Sequence, residues 1–290
     1  MAHKTHHAHA ARSNMPTSQP ITYACVATGS LQGEADSSIN RLHRMLRRFS
    51  PRPFRLLCIT DQPRNIDPSI IQIDASLWPE FKTTDTHPTF YKISLFNPKY
   101  IPYSDIFYMD LSVIIQAPLS PLIEFANHAT EDLVIVRGWA QSEVNSCVMR
   151  IRNTTLGFIH KDFAAGLKYP EHVPGDQDFV AGAMNTHCKA FRFFPNTHIV
   201  SFKKVMRQGV HDWRNAHQIA AGAMIVKFHG KPKPNTIFKV GYMFFKYGIR
   251  YIIKGKLAYP FEFRHLRKCW LSSDDQRSDV RQQKNEFNKR

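Results

Sequence analysis

Short apolar runs alternate with amphipathic stretches along most of this chain, and each run is bounded by polar or turn residues. Thr22–Thr28 (TYACVAT), Phe54–Thr60 (FRLLCIT), Ile106–Met109, Val113–Ile115, Leu133–Val136 and Val144–Ile151 (VNSCVMRI) read as buried strands. Ile70–Ile73 predicts a short third strand, and Ile199–Phe202 and Met224–Phe228 predict late ones. Between them the period lengthens. Ile39, Leu42, Met45, Leu46 and Phe49 recur at helical spacing, with Asp36, Ser37 or Ser38 available as the cap. Leu156, Ile159 and Phe163 share one face of a predicted helix over Thr155–Leu167, and a further helix runs from Gly175 through His187. Residues 76–90 read as loop, and no element is assigned between Phe202 and Met224.

Strand, helix, strand in that order predicts a βαβ unit with a right-handed crossover. It places Ala27, Thr28 and Asp61 along one sheet edge. The alternation as a whole predicts an α/β domain. The central stretch, Ser104–Leu122, has the most distinctive pattern. A buried strand there ends on Asp110, a second apolar run comes next, and Pro118 and Pro121 close the segment. A carboxylate at the end of a buried strand is costly unless paired or bound to a cation, and strand ends are where ligands sit in open α/β sheets. A turn cap is the plainer reading, and both stand at this point.

Composition narrows the class. The chain has 290 residues, 43% of them hydrophobic, including 21 Phe, enough for a substantial core. Its formal net charge is +16, which suits phosphates or anionic surfaces as partners. No nucleic-acid motif accompanies the charge, so nucleic acid is not expected. The five cysteines are odd in number and form no CxxC pair, and Cys25, Cys58 and Cys147 lie in apolar runs. Buried reduced thiols in a reducing compartment are the expectation. The first twenty residues have no apolar core, and no run is long enough to span a membrane. A cytoplasmic protein is expected, with peripheral attachment to the inner face of a membrane as an option.

The ends differ from the middle. Residues 1–20 are polar with His3, His6, His7 and His9, and read as a disordered tail or tag. Residues 238–290 form a basic, aromatic C-terminal extension with Gly241, Gly248 and Gly255 seven apart, ending in about twenty polar residues expected to be disordered. Its interleaved Lys239, Lys246, Arg250, Lys254 and Lys256 fit either an anionic lipid surface or helices packed on the core. Arg41, Arg44, Arg47 and Arg48 cover the polar face of the first helix, for which a solvated surface is sufficient.

Four further features carry candidate chemistry. Lys92 stands alone in FYKISLF; such a lysine either snorkels or is aimed at an anion. Asn145 opens the strand VNSCVMRI. Asp176 and Gln177 open a helix, where a carboxylate favours the dipole. His229-Gly-Lys-Pro-Lys-Pro234 comes directly after a strand and can offer backbone N–H groups and a lysine to a phosphate, although it is not a P-loop.

In this order, FYKISLF, IFYMDLSVII, VNSCVMRI, GDQDFV and FHGKPKPN resemble the nucleotide-sugar glycosyltransferases of the family 8 type and their bacterial relatives. The family pattern is a strand ending in DxD, an N-S-G segment, a DQ helix start and a terminal H-x-x-G-x-x-K-P-W loop. The resemblance covers roughly residues 21–235 and implies a GT-A fold: one α/β domain, at 21–237, around a mostly parallel mixed sheet flanked by helices. It implies Ala27, Thr28 and Asp61 around the nucleoside, Lys92 near the diphosphate, and Asp110 as the first acid of DxD. Asn145, Asp176 and Gln177 would lie around the transferred sugar and the acceptor, and Gly230 and Lys233 in the phosphate loop.

Two positions depart from the family: Ser112 replaces the second acid, and Lys227 stands at the metal-binding histidine. The family holds a divalent cation there, usually manganese, which offsets charge on the leaving diphosphate. Two readings are open. A weakened Mn²⁺ site survives on Asp110 and His229, or Lys227 and Lys233 stabilise the diphosphate without metal. The implied function is transfer of a sugar from a nucleotide-sugar donor, a UDP-sugar, to a hydroxyl of a glycan or lipid-linked saccharide, with retention of anomeric configuration. The alternative, motivated by Ser112, is a GT-A protein that binds a nucleotide-sugar or glycan without turnover.

Overall fold

The computed structural model describes residues 19–29, 34–81, 88–139, 142–169, 175–238, 246, 248–253 and 259–271. The His-rich start, Gly241, Gly255 and the polar end from residue 272 lie outside them. The first half contains β1 (Ile21–Ala27), α1 (Ala35–Phe49), β2 (Phe54–Thr60), β3 (Ile71–Asp74), β4 (Asp105–Met109), β5 (Val113–Ile115), α2 (Ser120–His128), β6 (Leu133–Arg137) and β7 (Val144–Arg152). The second contains α3 (Gly157–Ala164), α4 (Asp176–Thr186), β8 (Arg192–Phe193), β9 (Ile199–Ser201), α5 (Phe202–His211), α6 (Trp213–Gly222), β10 (Ile225–Lys227), α7 (Pro234–Ile237), α8 (Ile249–Ile253) and α9 (Phe263–Trp270). Pro79–Phe81 and Pro88–Phe96 are 3-10 helical.

Seven strands form one mixed sheet in the order β3-β2-β1-β4-β7-β6-β8. Pairing is parallel except where β7 runs antiparallel between β4 and β6. A second sheet has the order β5-β10-β9. This is the α/β architecture that the alternation predicts. Both faces of the large sheet are covered, which is why its strands read as nearly continuous apolar runs. Tyr23, Cys25 and Ala27 of β1 join the core under α1, while Ala24 joins the core against α3, α4 and the 3-10 segment. Phe107 and Met109 of β4 likewise face one core, and Ile106 and Tyr108 the other. The period-two alternation of strand side chains therefore serves two buried faces.

The apolar face of α1 (Ile39, Leu42, Met45, Leu46 and Phe49) is buried. Its start differs from expectation: the helix begins at Ala35 behind Glu34, with no side-chain cap. Asp36 instead accepts from the Asn65 N–H at 3.1 Å, and Ser37 donates to the Glu34 carbonyl at 3.0 Å. Several helices have no counterpart in the sequence reading, α2, α5 and α6 among them. Helix α2 begins where the prolines read as a stop, because a proline in the first turn needs no N–H partner. Helices α5 and α6 fill the unassigned stretch. Ser201 Oγ accepts from Lys204 N, and Asp212 Oδ1 from Asn215 N, so a serine and an aspartate three residues upstream of those N–H groups were legible caps.

Arg150 of β7 is fully buried. Its guanidinium donates to the Ala126 and Ala129 carbonyls at the end of α2, supplying partners that a helix C-terminus lacks. The core under α1 also takes in Phe261, Leu266, Cys269 and Trp270, so α9 packs as part of the same body. Cys25, Cys58, Cys147 and Cys269 are buried free thiols, and Cys188 is exposed. Among the described residues, no helix is long and apolar enough to cross a membrane.

Candidate functional site

Strand direction places the site. Parallel β1 and β2 end level, with Ala27 opposite Thr60, and β4 runs the same way beside β1. Residue 110 therefore emerges at the carboxyl edge, the ligand edge of such sheets. Because β7 is antiparallel to β4, its beginning lies at that same edge: Met109 pairs with Val148, and Asp110 N–H donates to the Cys147 carbonyl at 2.9 Å. Asn145 and Ser146 are thereby carried to Asp110. The β5–β10 pairing, Val113 opposite Lys227, brings the late loop to the same place. The result is a cavity of about 640 Å³.

Thr28, Lys92, Asp110, Ser112, Asn145, Asp176, Gln177, Lys227, His229, Gly230 and Lys233 all line this cavity. Ala27 and Asp61 do not. Ala27 is fully buried in the sheet. The Asp61 carboxylate accepts from Gly29 N–H at 2.7 Å and pairs with Arg64 at 3.3 Å, and Arg64 also donates to the Ala27 carbonyl at 2.9 Å. These two residues shape the turn after β1.

Asp110 is the centre of an ionic cluster. Lys92 Nζ lies 3.1 Å from Asp110 Oδ1 and 3.3 Å from Asp176 Oδ2, and donates to Ser146 Oγ at 3.1 Å. Ser146 Oγ donates to Asp176 Oδ2. Tyr108 OH donates to Asp110 Oδ1 at 2.5 Å. Lys227 Nζ pairs with Asp110 Oδ2 and donates to Ser112 Oγ at 2.7 Å. Lys92 is therefore not a snorkelling side chain: it is buried and aimed at two carboxylates. Asp176 is more than a helix-start residue, because it is buried in this cluster. Burial works against charge on Lys92, but Asp110 and Asp176 outweigh it and raise its pKa. Burial likewise opposes ionisation of Asp110, yet Lys227 and Lys92 hold that carboxyl well below the usual range.

Beside the cluster lies a neutral pair. Asn145 Nδ2 donates to Gln177 Oε1 at 3.3 Å, and Gln177 Nε2 donates to Ser142 Oγ at 2.7 Å. Asn145 Oδ1 accepts from Cys147 N–H at 3.1 Å, which fixes the amide's orientation. On the far wall, Lys233 is half-buried; burial and the Lys227 charge lower its pKa, with Asp110 opposing. His229 stacks on Trp139 at 5.9 Å between centroids and shares a hydrogen bond with Ser201 Oγ. Burial and the nearby Lys203 and Lys227 lower its pKa to about 4.

The residues present do not fit a divalent cation. Among the described residues, no three His, Cys, Asp or Glu side chains gather as a metal cluster. The Asp110 carboxylate is taken by two ammonium groups, and His229 Nδ1 faces Ser201. A doubly charged ion on Asp110 would stand on the order of 4 Å from the Lys227 ammonium, a repulsion of about 8 kcal/mol at an effective dielectric constant of about 20.

Two functional neighbours are absent from the sequence reading. Trp270, delivered by α9, lines the cavity and donates to Asn235 Oδ1 at 2.8 Å. The indole of Trp270 thus reaches the end of the Lys227–Asn235 loop from 35 residues away in the chain. Arg41 also donates to Asn235 Oδ1, at 3.0 Å, and lies over the Trp270 ring at 5.2 Å. At least one arginine of the α1 polar face thus supports the site.

The fold is that of GT-A glycosyltransferases. The chain is similar to the galactosyltransferase LgtC, solved in complex with donor and acceptor sugar analogues: TM-score 0.53, 12% identity, covering 82% of this chain and 96% of that one. It is similar to the glycosyltransferase GlyE of Streptococcus pneumoniae TIGR4, with TM-score 0.53 and 14% identity over 81% of this chain. It spans 62% of GlyE's chain. The bifunctional glycosyltransferase WbbM matches over 76% of this chain and 48% of its own, with TM-score 0.51 and 10% identity. No family model and no curated protein matches the sequence.

Proposed function

We propose that this protein transfers a sugar from a nucleotide-sugar, with UDP as the nucleotide, to a hydroxyl of a glycan or lipid-linked saccharide, in the manner of the family 8 type. The observation that carries the proposal is the meeting of Asp110, Asp176, Asn145 and Gln177 with the lysine-bearing loop at Lys227–Lys233 in one cavity at the carboxyl edge of the sheet. The loop provides cations for a diphosphate, and the opposite wall provides amide and carboxylate groups of the kind that bind sugar hydroxyls. That LgtC, of the same fold, is solved with donor and acceptor sugar analogues supports a sugar donor and a sugar acceptor as the ligands.

In the reaction, the bond between the anomeric carbon and the β-phosphate oxygen breaks, and its electron pair leaves on that oxygen. On the face that the diphosphate leaves, the acceptor hydroxyl oxygen bonds to the anomeric carbon, and its proton passes to the departing phosphate oxygen. Lys227 and Lys233 offset the charge gathering on the diphosphate. Asn145 and Gln177 orient the sugar and the acceptor, with Thr28 at the nucleoside end. Asp176 fixes Ser146 and Lys92 beneath the sugar. Retention of configuration is expected.

Exposed Ile249, Ile252 and Ile253 on α8, beside exposed Lys246, suit contact with an anionic membrane that carries the acceptor at the cytoplasmic face. Because α9 belongs to the core, truncating residues 238–290 is not a clean test of that contact. Ile252→Glu with Ile253→Glu is expected to reduce vesicle co-sedimentation without lowering the melting temperature.

The transferase reading is tested by thermal unfolding with a panel of nucleotide-sugars, and then by an assay for released UDP. A donor at about a hundred times its dissociation constant adds about 2.7 kcal/mol, a rise of roughly 5–10 °C for a domain of this size. A shift with UDP-sugars and release of UDP on adding a saccharide acceptor support the proposal. A shift without turnover across acceptors leaves a binding protein, and no shift with any donor removes the reading.

A further inference from the structure

Transfer as proposed requires positive charge at the leaving diphosphate, and the role assigned below to three lysines rests on that proposal. Inside the site the charges already balance: two buried ammonium groups, Lys92 and Lys227, meet two carboxylates, Asp110 and Asp176. Ser112, where a second metal-binding acid would stand, gives its hydroxyl oxygen to Lys227. No carboxylate of this cluster is left over to attract a divalent ion.

The loop side carries surplus positive charge. Among the described residues, Lys233 and Lys203 have no carboxylate partner. Lys203 projects from the first turn of α5. Its Nζ lies 3.1 Å from the place that a side chain on Gly230 would fill. Gly230 has φ +61, so the loop turns through the left-handed region, and its bare backbone leaves room for that ammonium. Lys227, Gly230 and Lys233 line the cavity, and Lys203 reaches the Gly230 turn from α5. Convergent cations around a glycine turn form a site for a polyanion.

We infer that Lys227 is the resident counter-ion of the donor diphosphate in place of a divalent metal, and that Lys203 is a third diphosphate-binding lysine beside Lys227 and Lys233. Lys92 and Tyr108 OH keep Asp110 compensated when Lys227 shares its protons with the phosphate. The site is then ready for the donor without recruiting an ion.

The test is calorimetric titration of UDP into the full chain, first in EDTA and then with excess Mn²⁺. The dissociation constant is expected to agree between the two within about twofold. Lys203→Ala is expected to weaken binding about tenfold, the loss of one charge-assisted hydrogen bond, while Lys204→Ala, at the exposed next position on the same helix, changes it less than about twofold. Melting temperatures of both variants serve as the control for folding. Binding that disappears in EDTA and returns with Mn²⁺ overturns the metal-free inference and leaves the transferase reading standing. Equal effects at Lys203 and Lys204 overturn the assignment of Lys203. Absence of UDP binding in both buffers overturns the UDP-donor reading and this inference together.

Discussion

Lys227 and Asp110, 117 residues apart in the chain, form an ion pair where β10 meets the end of β4. Both side chains are largely buried, and each is compensated by the other. Such a pair is costly to break from one side, because the remaining charge stays in a poorly solvated place.

Lys227→Met is therefore expected to destabilise the protein by about 3–5 kcal/mol. Asp110→Asn should cost at least as much, since it leaves Lys227 without a carboxylate, whereas Lys227→Met leaves Asp110 its second partner, Lys92. The double variant is expected to be more stable than the sum of the two, with a coupling of at least about 1 kcal/mol. Urea unfolding of the four proteins measures it. Additive single effects would mean that the pair is not coupled.

The pH response of this pair has a definite sign. The Asp110 pKa is depressed in the folded state, so its contribution is fully present above the ordinary carboxylate value near about 3.9. It is lost only as pH falls through the lower, folded value. The stability difference between wild type and Asp110→Asn should thus persist at about pH 4 and shrink in stronger acid. Denaturation midpoints across acidic pH provide the check; a difference that vanishes already near neutrality would contradict it.

His229 has a folded pKa of about 4, below its ordinary value, owing first to burial and then to Lys203, Lys227, Lys204 and Arg207. The imidazole is neutral in the free protein at neutral pH. Its contribution to stability is complete above about pH 6.5 and declines as pH falls toward the folded value. A bound diphosphate offsets the lysine field, so the His229 titration midpoint should move upward on adding UDP. Ring proton shifts in NMR report this directly, and a midpoint that UDP leaves in place would argue against phosphate near this loop.

Gly230→Ala tests the phosphate turn. The added methyl must adopt φ +61 and meets Lys203 Nζ at 3.1 Å. A cost of about 1–2 kcal/mol in stability is expected from the backbone alone. UDP affinity should fall as well, because Lys203 is displaced. Unchanged affinity with reduced stability would place the phosphate elsewhere.

Trp270→Ala should remove a cavity wall and a core contact together. The residue is 2% exposed, and truncation is expected to cost about 3–5 kcal/mol. Trp270→Phe keeps most of the packing but loses the N–H to Asn235, so it should lower donor affinity with a much smaller effect on melting. Donor affinity left unchanged by Trp270→Phe would assign Trp270 to packing alone.

The strands were legible in the sequence because burial on both sheet faces leaves continuous apolar runs, as in TYACVAT and FRLLCIT. The edge on which Asp110 and Thr28 emerge was legible from strand ends and parallel order. That Asn145, Asp176, Gln177, Gly230 and Lys233 belong together was implied by the family resemblance alone, and all five line one cavity. Helix α6 escaped because its buried face is only Ala216 and Ala220, so its period is faint; in α5, Phe202, Val205, Met206 and Gly209 recur at helical spacing, but Phe202 reads as the end of the preceding strand. Ionic pairing was not legible at all. Whether Lys92 snorkels or reaches an anion, and whether Asp110 holds a metal or an ammonium, depends on which side chains the antiparallel β7 and the late β10 bring to the end of β4. The same holds for Asp61, turned to Gly29 and Arg64, and for Trp270, carried to Asn235 by α9. Chain chemistry alone determines which residues can bear charge and which must be buried; distances between charges, and hence which pairs neutralise one another, arise only when distant strands register in the sheet.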